Sequence, residues 1–355
     1  MIKKLKKKET TRRGFISGFS LISAGIILRP LSLFSQEEIK TLNLGSPTDF
    51  LSDKLISNFQ KGVNSSINSI TYNSKTEINY NENNYDILIG RDSFIENLID
   101  DERVTELNKE LLPNSTFIDQ KFSTSAFDKN RKYTVPLSYG AIGIAYRKNV
   151  FSEPPSTWRW LLDSDKYSGK IALLGEGRTL IQIALKYMGV SLNTNDPMWI
   201  NQAEKLLKRQ KENIKDFGKK NGAELLINGE VDLAIISNED FKKIENKDIG
   251  FTFPREGSLI WQDCACITSS SMKIEDSHSI INSMLEPKNS RSIAENLQVA
   301  TPNIMAIDLA KKSYKEDSTI FPNAQIIDRY EDTTTILDFD YEMMIEEMWD
   351  NILDA

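Results

Sequence analysis

A nine-residue apolar run that holds a single carboxylate, Leu259 to Ile267 (LIWQDCACI), constrains this chain more than any other stretch. Leu259, Trp261, Ala265 and Ile267, with two small cysteines between them, suit a strand covered on both faces. Asp263 stands in the middle, where a lone carboxylate is expensive unless a cation or a hydrogen-bond donor meets it. Trp261 lies two residues earlier, so the period of a strand puts indole and carboxylate on one face. Such a pair can hold an organic cation, by charge and by a cation–π attraction of about 0.5–2 kcal/mol. The same residues also fit a core Trp beside an Asp that caps a neighbouring backbone turn.

At 355 residues the chain is too long for one small core, so two domains are expected. The first 35 residues differ from the rest. They carry eight Lys/Arg against one acid, Glu9, followed by an apolar run from Phe15 to Leu28. A basic region ahead of an apolar one is the anatomy of an export signal, and the run is too short and too punctuated by Gly and Ser for a membrane span. Thr11-Arg12-Arg13-Gly14-Phe15-Ile16 resembles the twin-arginine consensus, which implies export of the folded protein by the Tat translocase to the periplasm. No small-x-small triplet ends the run, and no cysteine there offers a lipid anchor.

Taking eight basic and one acidic residue from totals of 44 and 51 leaves a net charge of −14. A domain this acidic is a poor partner for nucleic acid or anionic membrane, and its field favours cationic solutes. The one histidine, His278, sits in a polar helix start and reads as a solvated surface residue, which argues against His-based nucleophilic and zinc sites. Cys264 and Cys266 share one strand face and read as small core residues. No phosphate-cradling loop is present, and no cofactor or metal is expected.

Short apolar strands alternate with helices: Ile39 to Leu44, Phe50 to Phe59, Ser66 to Tyr72, Tyr85 to Gly90 and Phe94 to Ile99. A second unit repeats the grammar, with strands at Gly169 to Leu174 and Val231 to Ser237 and helices from Arg178 and from Asp196-Pro197. This is the signature of α/β domains with largely parallel sheets. Val231 to Ser237 echoes Tyr85 to Gly90, so Arg91 to Ser93 and Ser237 to Glu239 should face one another across a cleft beyond the strand ends. Tyr341, Met344, Ile345, Met348, Trp349 and Ile352 make the stripe of a terminal helix.

From about Tyr133 to Ile352 the chain resembles the spermidine/putrescine-binding proteins of bacterial ABC importers. The matching pieces include Tyr133-Thr134-Val135-Pro136, Tyr139-Gly140-Ala141-Ile142-Gly143, Tyr167-Ser168-Gly169-Lys170, Gly175-Glu176-Gly177-Arg178, Asn228-Gly229-Glu230-Val231-Asp232, Trp261-Gln262-Asp263 and Ala300-Thr301-Pro302-Asn303. The resemblance implies a periplasmic-binding-protein-like α/β fold: two lobes joined by crossover strands, with the ligand in the cleft between them. Lobe 1 would span residues 36–138 plus about 264–308, and lobe 2 residues 139–263 plus about 309–355. It also implies a monomer that hands a small-molecule cargo to an inner-membrane permease and its ATPase. Trp261 and Asp263 become cleft residues, Asp263 pairing with an amine, and Glu176 supplies a second acid for a diamine.

The chain departs from the family's pattern at Thr179, where another acid is expected, and at Ser46, Ser93, Ser237 and Val299, where cleft aromatics are expected. Arg91 enters near the cleft. Tyr139 and Phe94 could supply part of the aromatic wall, and Tyr330 or Asp332 the rim. The leading expectation is a solute-binding protein for a polyamine-like cation. The alternatives are the same role for another amine or an amino acid-like zwitterion, a ligand sensor for a membrane receptor, and an exported enzyme using Glu176 and Asp263 as an acid/base pair.

Overall fold

In the computed structural model, which describes residues 40–61, 63, 65–73, 78, 84–174, 176–218, 221–332 and 339–354, the alternation of strand and helix is realised as nine strands. These are β1 (Lys40–Pro47), β2 (Ser65–Tyr72), β3 (Ile87–Arg91), β4 (Thr134–Arg147), β5 (Ile171–Leu173), β6 (Ile214–Phe217), β7 (Leu233–Ser237), β8 (Ile249–Thr252) and β9 (Ile260–Ile267). The expected export signal lies outside the described residues, as does most of the asparagine-rich connection after β2.

The strands run in the order β2-β1-β3-β9-β4-β7-β5-β6, with β8 beside β4. This order is nearly palindromic. On one side β2, β1 and β3 are parallel and meet antiparallel β9; on the other β6, β5 and β7 are parallel and meet antiparallel β4. Parallel strands joined by helical crossovers are buried on both faces, which is why β3, β5 and β7 read as short unbroken apolar runs.

The long strand β4 serves both halves. Thr134–Ala141 pairs with β9, and Ile142–Arg147 pairs with β7 and β8. Its register against β9 shifts between Pro136 and Ser138, a bulge where a proline without an N–H is tolerated inside a sheet. All eight residues of β9 are buried, as the apolar run required. Separate apolar cores support the halves. Leu42, Leu44, Ile87, Ile89 and Ile281 pack under the first, and Trp158, Ile171, Leu180, Leu185 and Leu233 under the second.

The terminal helix Phe339–Asp354 buries Ile345, Met348 and Ile352 against the second half, matching the stripe read from the sequence. The surface reading of His278 is corrected. It is 1% exposed: Nδ1 donates to the carbonyl of Ile274 at 2.7 Å, and Nε2 accepts the backbone N–H of Asn108 at 2.9 Å. Its place on the helix Ile274–Met284, four residues after Ile274 and three before Ile281, puts it on the inward stripe despite polar neighbours.

Candidate functional site

Antiparallel pairing builds one wall of a cleft from three adjacent strands. Asp263 of β9 stands directly opposite Arg91, the last residue of β3, and directly opposite Ser138 of β4. Residues opposite one another in an antiparallel pair present their side chains on the same face. The consequence is a carboxylate met from both sides: Ser138 Oγ donates to Asp263 Oδ2 at 2.7 Å, and Arg91 Nε lies 3.5 Å from Oδ1. Two residues back on the same face, the indole of Trp261 lies under the guanidinium, 3.6 Å from its carbon. Gly140 is the partner of Trp261 across β4, and any Cβ there would overlap the indole and Asn238 Oδ1. The glycine is therefore what lets the ring lie flat beside the strand.

The other half of the molecule completes this seat. Arg91 Nη2 donates to Glu239 Oε2 at 2.8 Å, and Glu239 is the second residue of the helix Asn238–Lys242 that follows β7. The expectation that Arg91–Ser93 and Ser237–Glu239 face each other is met by this ion pair. The two halves use the same device to tie their helices to the crossing strands. Asp92 Oδ2 accepts the N–H of Gln262 on β9 at 2.9 Å, and Asn238 Oδ1 accepts the N–H of Ala141 on β4 at 3.0 Å.

Beyond the seat lies a cleft of about 540 Å³. Arg91, Ser93 and Trp261 line it from one side, and Glu176, Thr179, Ser237 and Asp240 from the other. Glu176 is the exposed N-cap residue of the helix Gly177–Tyr187, where the helix dipole favours a negative charge. Thr179, one turn on, donates its hydroxyl to Glu176 Oε2 at 3.2 Å. Gly177 lies so close to the Trp349 indole that a Cβ would overlap it, so the terminal helix packs directly against the start of the helix that follows Glu176. Ser237 acts as N-cap of its helix, accepting the N–H of Asp240 at 3.0 Å and donating to Asp240 Oδ2 at 2.8 Å. Arg178 also reaches the cleft, with Nη2 3.2 Å from Glu342 Oε1.

Residues 54–322 match the family described as bacterial extracellular solute-binding proteins. The chain belongs to that family. The match begins well upstream of Tyr133, further toward the N-terminus than the quoted motifs reach. The solute-binding protein is 26% identical over 315 residues to the spermidine/putrescine-binding periplasmic protein of Escherichia coli strain K12, covering 86% of this chain and 90% of that one. It is 29% identical over 296 residues to spermidine/putrescine-binding periplasmic protein 1 of Haemophilus influenzae, covering 81% and 82%. Among solved structures, the spermidine/putrescine ABC transporter substrate-binding protein PotD from Streptococcus pneumoniae superposes with a TM-score of 0.82 at 22% identity, over 89% of this chain and 99% of that one. The fold is thus the two-lobed α/β fold of periplasmic binding proteins. These relatives are solute-binding components, not enzymes.

Burial sets the charge states of the solute-binding protein's cleft. It pushes the Asp263 carboxyl above its ordinary range, an effect that Arg91 and the Ser138 hydroxyl only partly offset. Asp92 is pushed up to about 7, again by burial, against the opposing influence of Arg91. Glu239 goes the other way: burial raises it, but Arg91 and Lys243 outweigh that and hold it below the usual carboxylate range. Burial disfavours the charge on Arg91, yet Asp263 and Glu239 more than compensate.

Not every expected residue comes to the cleft. Tyr139 pairs with Gln262, one position out of step with Trp261, so its ring leaves by the other face and packs on Phe122 at 4.5 Å between centroids. Ser46 is fully buried near the end of β1, its hydroxyl turned to the carbonyl of Pro47. Phe94 packs on Tyr72, Val299 lies in the core, Tyr330 is buried against Phe253, and Asp332 accepts the N–H of Ala126. The sequence reading did not single out Asp92, Asp240 or Arg178. Each adjoins a residue that it did name, and the echo of β3 in β7 was the signal that could have found the first two. Among the described residues no group of His, Cys, Asp and Glu could hold a metal ion, and no helix is long and apolar enough to cross a membrane.

Proposed function

We propose that the chain is the periplasmic solute-binding component of an ABC importer, that it takes an organic cation of the putrescine/spermidine class in its cleft, and that it delivers this cargo to a membrane permease. One observation carries the reading: the seat formed by Trp261, Asp263 and Glu239 already holds a cation, the guanidinium of Arg91. An aromatic face with carboxylates around it is the environment a substituted ammonium needs, because cation–π attraction and charge-assisted hydrogen bonds replace its water. Glu176 and Asp240 add negative charge across the cleft, where a second ammonium would lie. The names of the relatives, spermidine/putrescine-binding, support the same cargo class.

The lobes would comprise residues 36–138 with about 264–308, and 139–263 with about 309–355, hinged where β4 and β9 cross. Export would follow the Tat route through Arg12 and Arg13, and the protein would act as a monomer. A thermal-shift screen of the purified chain against 1,4-diaminobutane, spermidine, agmatine and a panel of amino acids tests the cargo. Binding to the native state raises the melting temperature by mass action. A rise with the diamines and triamines is expected; a rise with amino acids alone would refute the polyamine assignment.

A further inference from the structure

We propose that Arg91 is a tethered stand-in for one ammonium of the cargo: it occupies the cation seat, and an incoming amine has to displace it. The proposal rests on the amine-binding reading above and goes on to say what sets the affinity of the site. Three contacts define the seat, and Arg91 makes all of them, stacking on Trp261 at 3.6 Å and reaching Glu239 at 2.8 Å and Asp263 at 3.5 Å. A ligand ammonium lying on the same indole between the same carboxylates would overlap the guanidinium. The side chain is 36% exposed, so it has a route into solvent that does not disturb the core. Arg91 closes β3 in one half of the sheet, while Glu239 follows β7 in the other. The guanidinium therefore bridges the two halves as a bound cation would.

A tethered competitor has a high effective concentration at its own seat. An amine with a single positive charge exchanges one cation for another there and gains little. A diamine adds a second interaction at the Glu176 end, where the carboxylate meets only the Thr179 hydroxyl among the described residues. Arg91 thus sets a threshold that favours cations long enough to reach both ends. The apparent affinity is the intrinsic affinity multiplied by the fraction of molecules whose seat is free, so removing the competitor restores it.

Isothermal titration of the full chain with 1,4-diaminobutane, butylamine and 4-aminobutanoate tests this in the wild type, in Arg91→Ser and in Arg91→Gln. The glutamine keeps hydrogen-bonding capacity without charge and stands in should the serine variant fold poorly. Both variants are expected to bind the diamine and butylamine at least tenfold more tightly than the wild type. Unchanged or weaker amine binding in both variants would overturn the proposal. So would wild-type preference for 4-aminobutanoate over the diamine that disappears in Arg91→Ser, since Arg91 would then be a ligand for a carboxylate. No heat from any amine with any variant would refute the amine reading itself, and the competitor with it.

Discussion

At the Trp261 end of the cleft, two carboxylates and an indole already surround a cation; at the Glu176 end, the carboxylate meets only the Thr179 hydroxyl among the described residues. The first end is recessed among three strands, and the Arg91 guanidinium offsets part of its negative charge. The second sits at an exposed helix start and leaves its charge to solvent. Burial explains the division. A carboxylate as deep as Asp263 is tolerated because Ser138 and Arg91 meet it from the strands on either side, whereas Glu176 needs no partner in water. Under the proposed function, the first end would supply shape and selectivity and the second a carboxylate open to a further ammonium.

Substitutions at the two ends should separate these roles. Trp261→Ala removes a nearly buried indole, and the loss of packing should lower unfolding stability by about 3–5 kcal/mol, besides abolishing measurable amine binding. Glu176→Gln should leave the melting temperature within about a degree and weaken diamine binding by roughly tenfold, as expected for one charge-assisted contact of about 1.5 kcal/mol. Denaturant titration and calorimetry on both variants check the pair. Equal losses of binding with equal losses of stability would erase the distinction between the ends.

A smaller effect concerns pH. The folded protein holds the Asp92 proton up to about pH 7, whereas the unfolded chain releases it near the ordinary value of 3.8. The folded state thus binds more protons between those limits, and this group's influence lowers stability as pH rises through the window. Asp92→Asn lacks that dependence while keeping an acceptor for Ser93 or Gln262. Relative to the wild type, its melting temperature should climb by a few degrees from pH 4 to 7. Parallel profiles would show that Asp92 does not carry the shifted proton.

Much of this arrangement was legible in the residues. The apolar run at 259–267 marked a buried strand, and the echo of β3 in β7 set Arg91 to Ser93 opposite Ser237 to Glu239. What escaped was set by packing between distant segments. Tyr139 follows the alternation of β4 to the far face, a consequence of its register against β9 that the order of residues alone does not fix. His278 was hidden by its neighbours: Glu275, Asp276 and Ser279 are polar, yet the helical period carries position 278 inward. The ion pair that fills the seat needed both halves of the sheet in place.

The central claim is that Trp261, Asp263 and Glu239 form a cation seat that Arg91 holds until an amine replaces it. A crystal structure of the chain with 1,4-diaminobutane tests it most directly. One ammonium is expected over the Trp261 ring within reach of Asp263 and Glu239, the other near Glu176, and Arg91 swung toward solvent. A diamine bound elsewhere, with the guanidinium still stacked on Trp261, would contradict it.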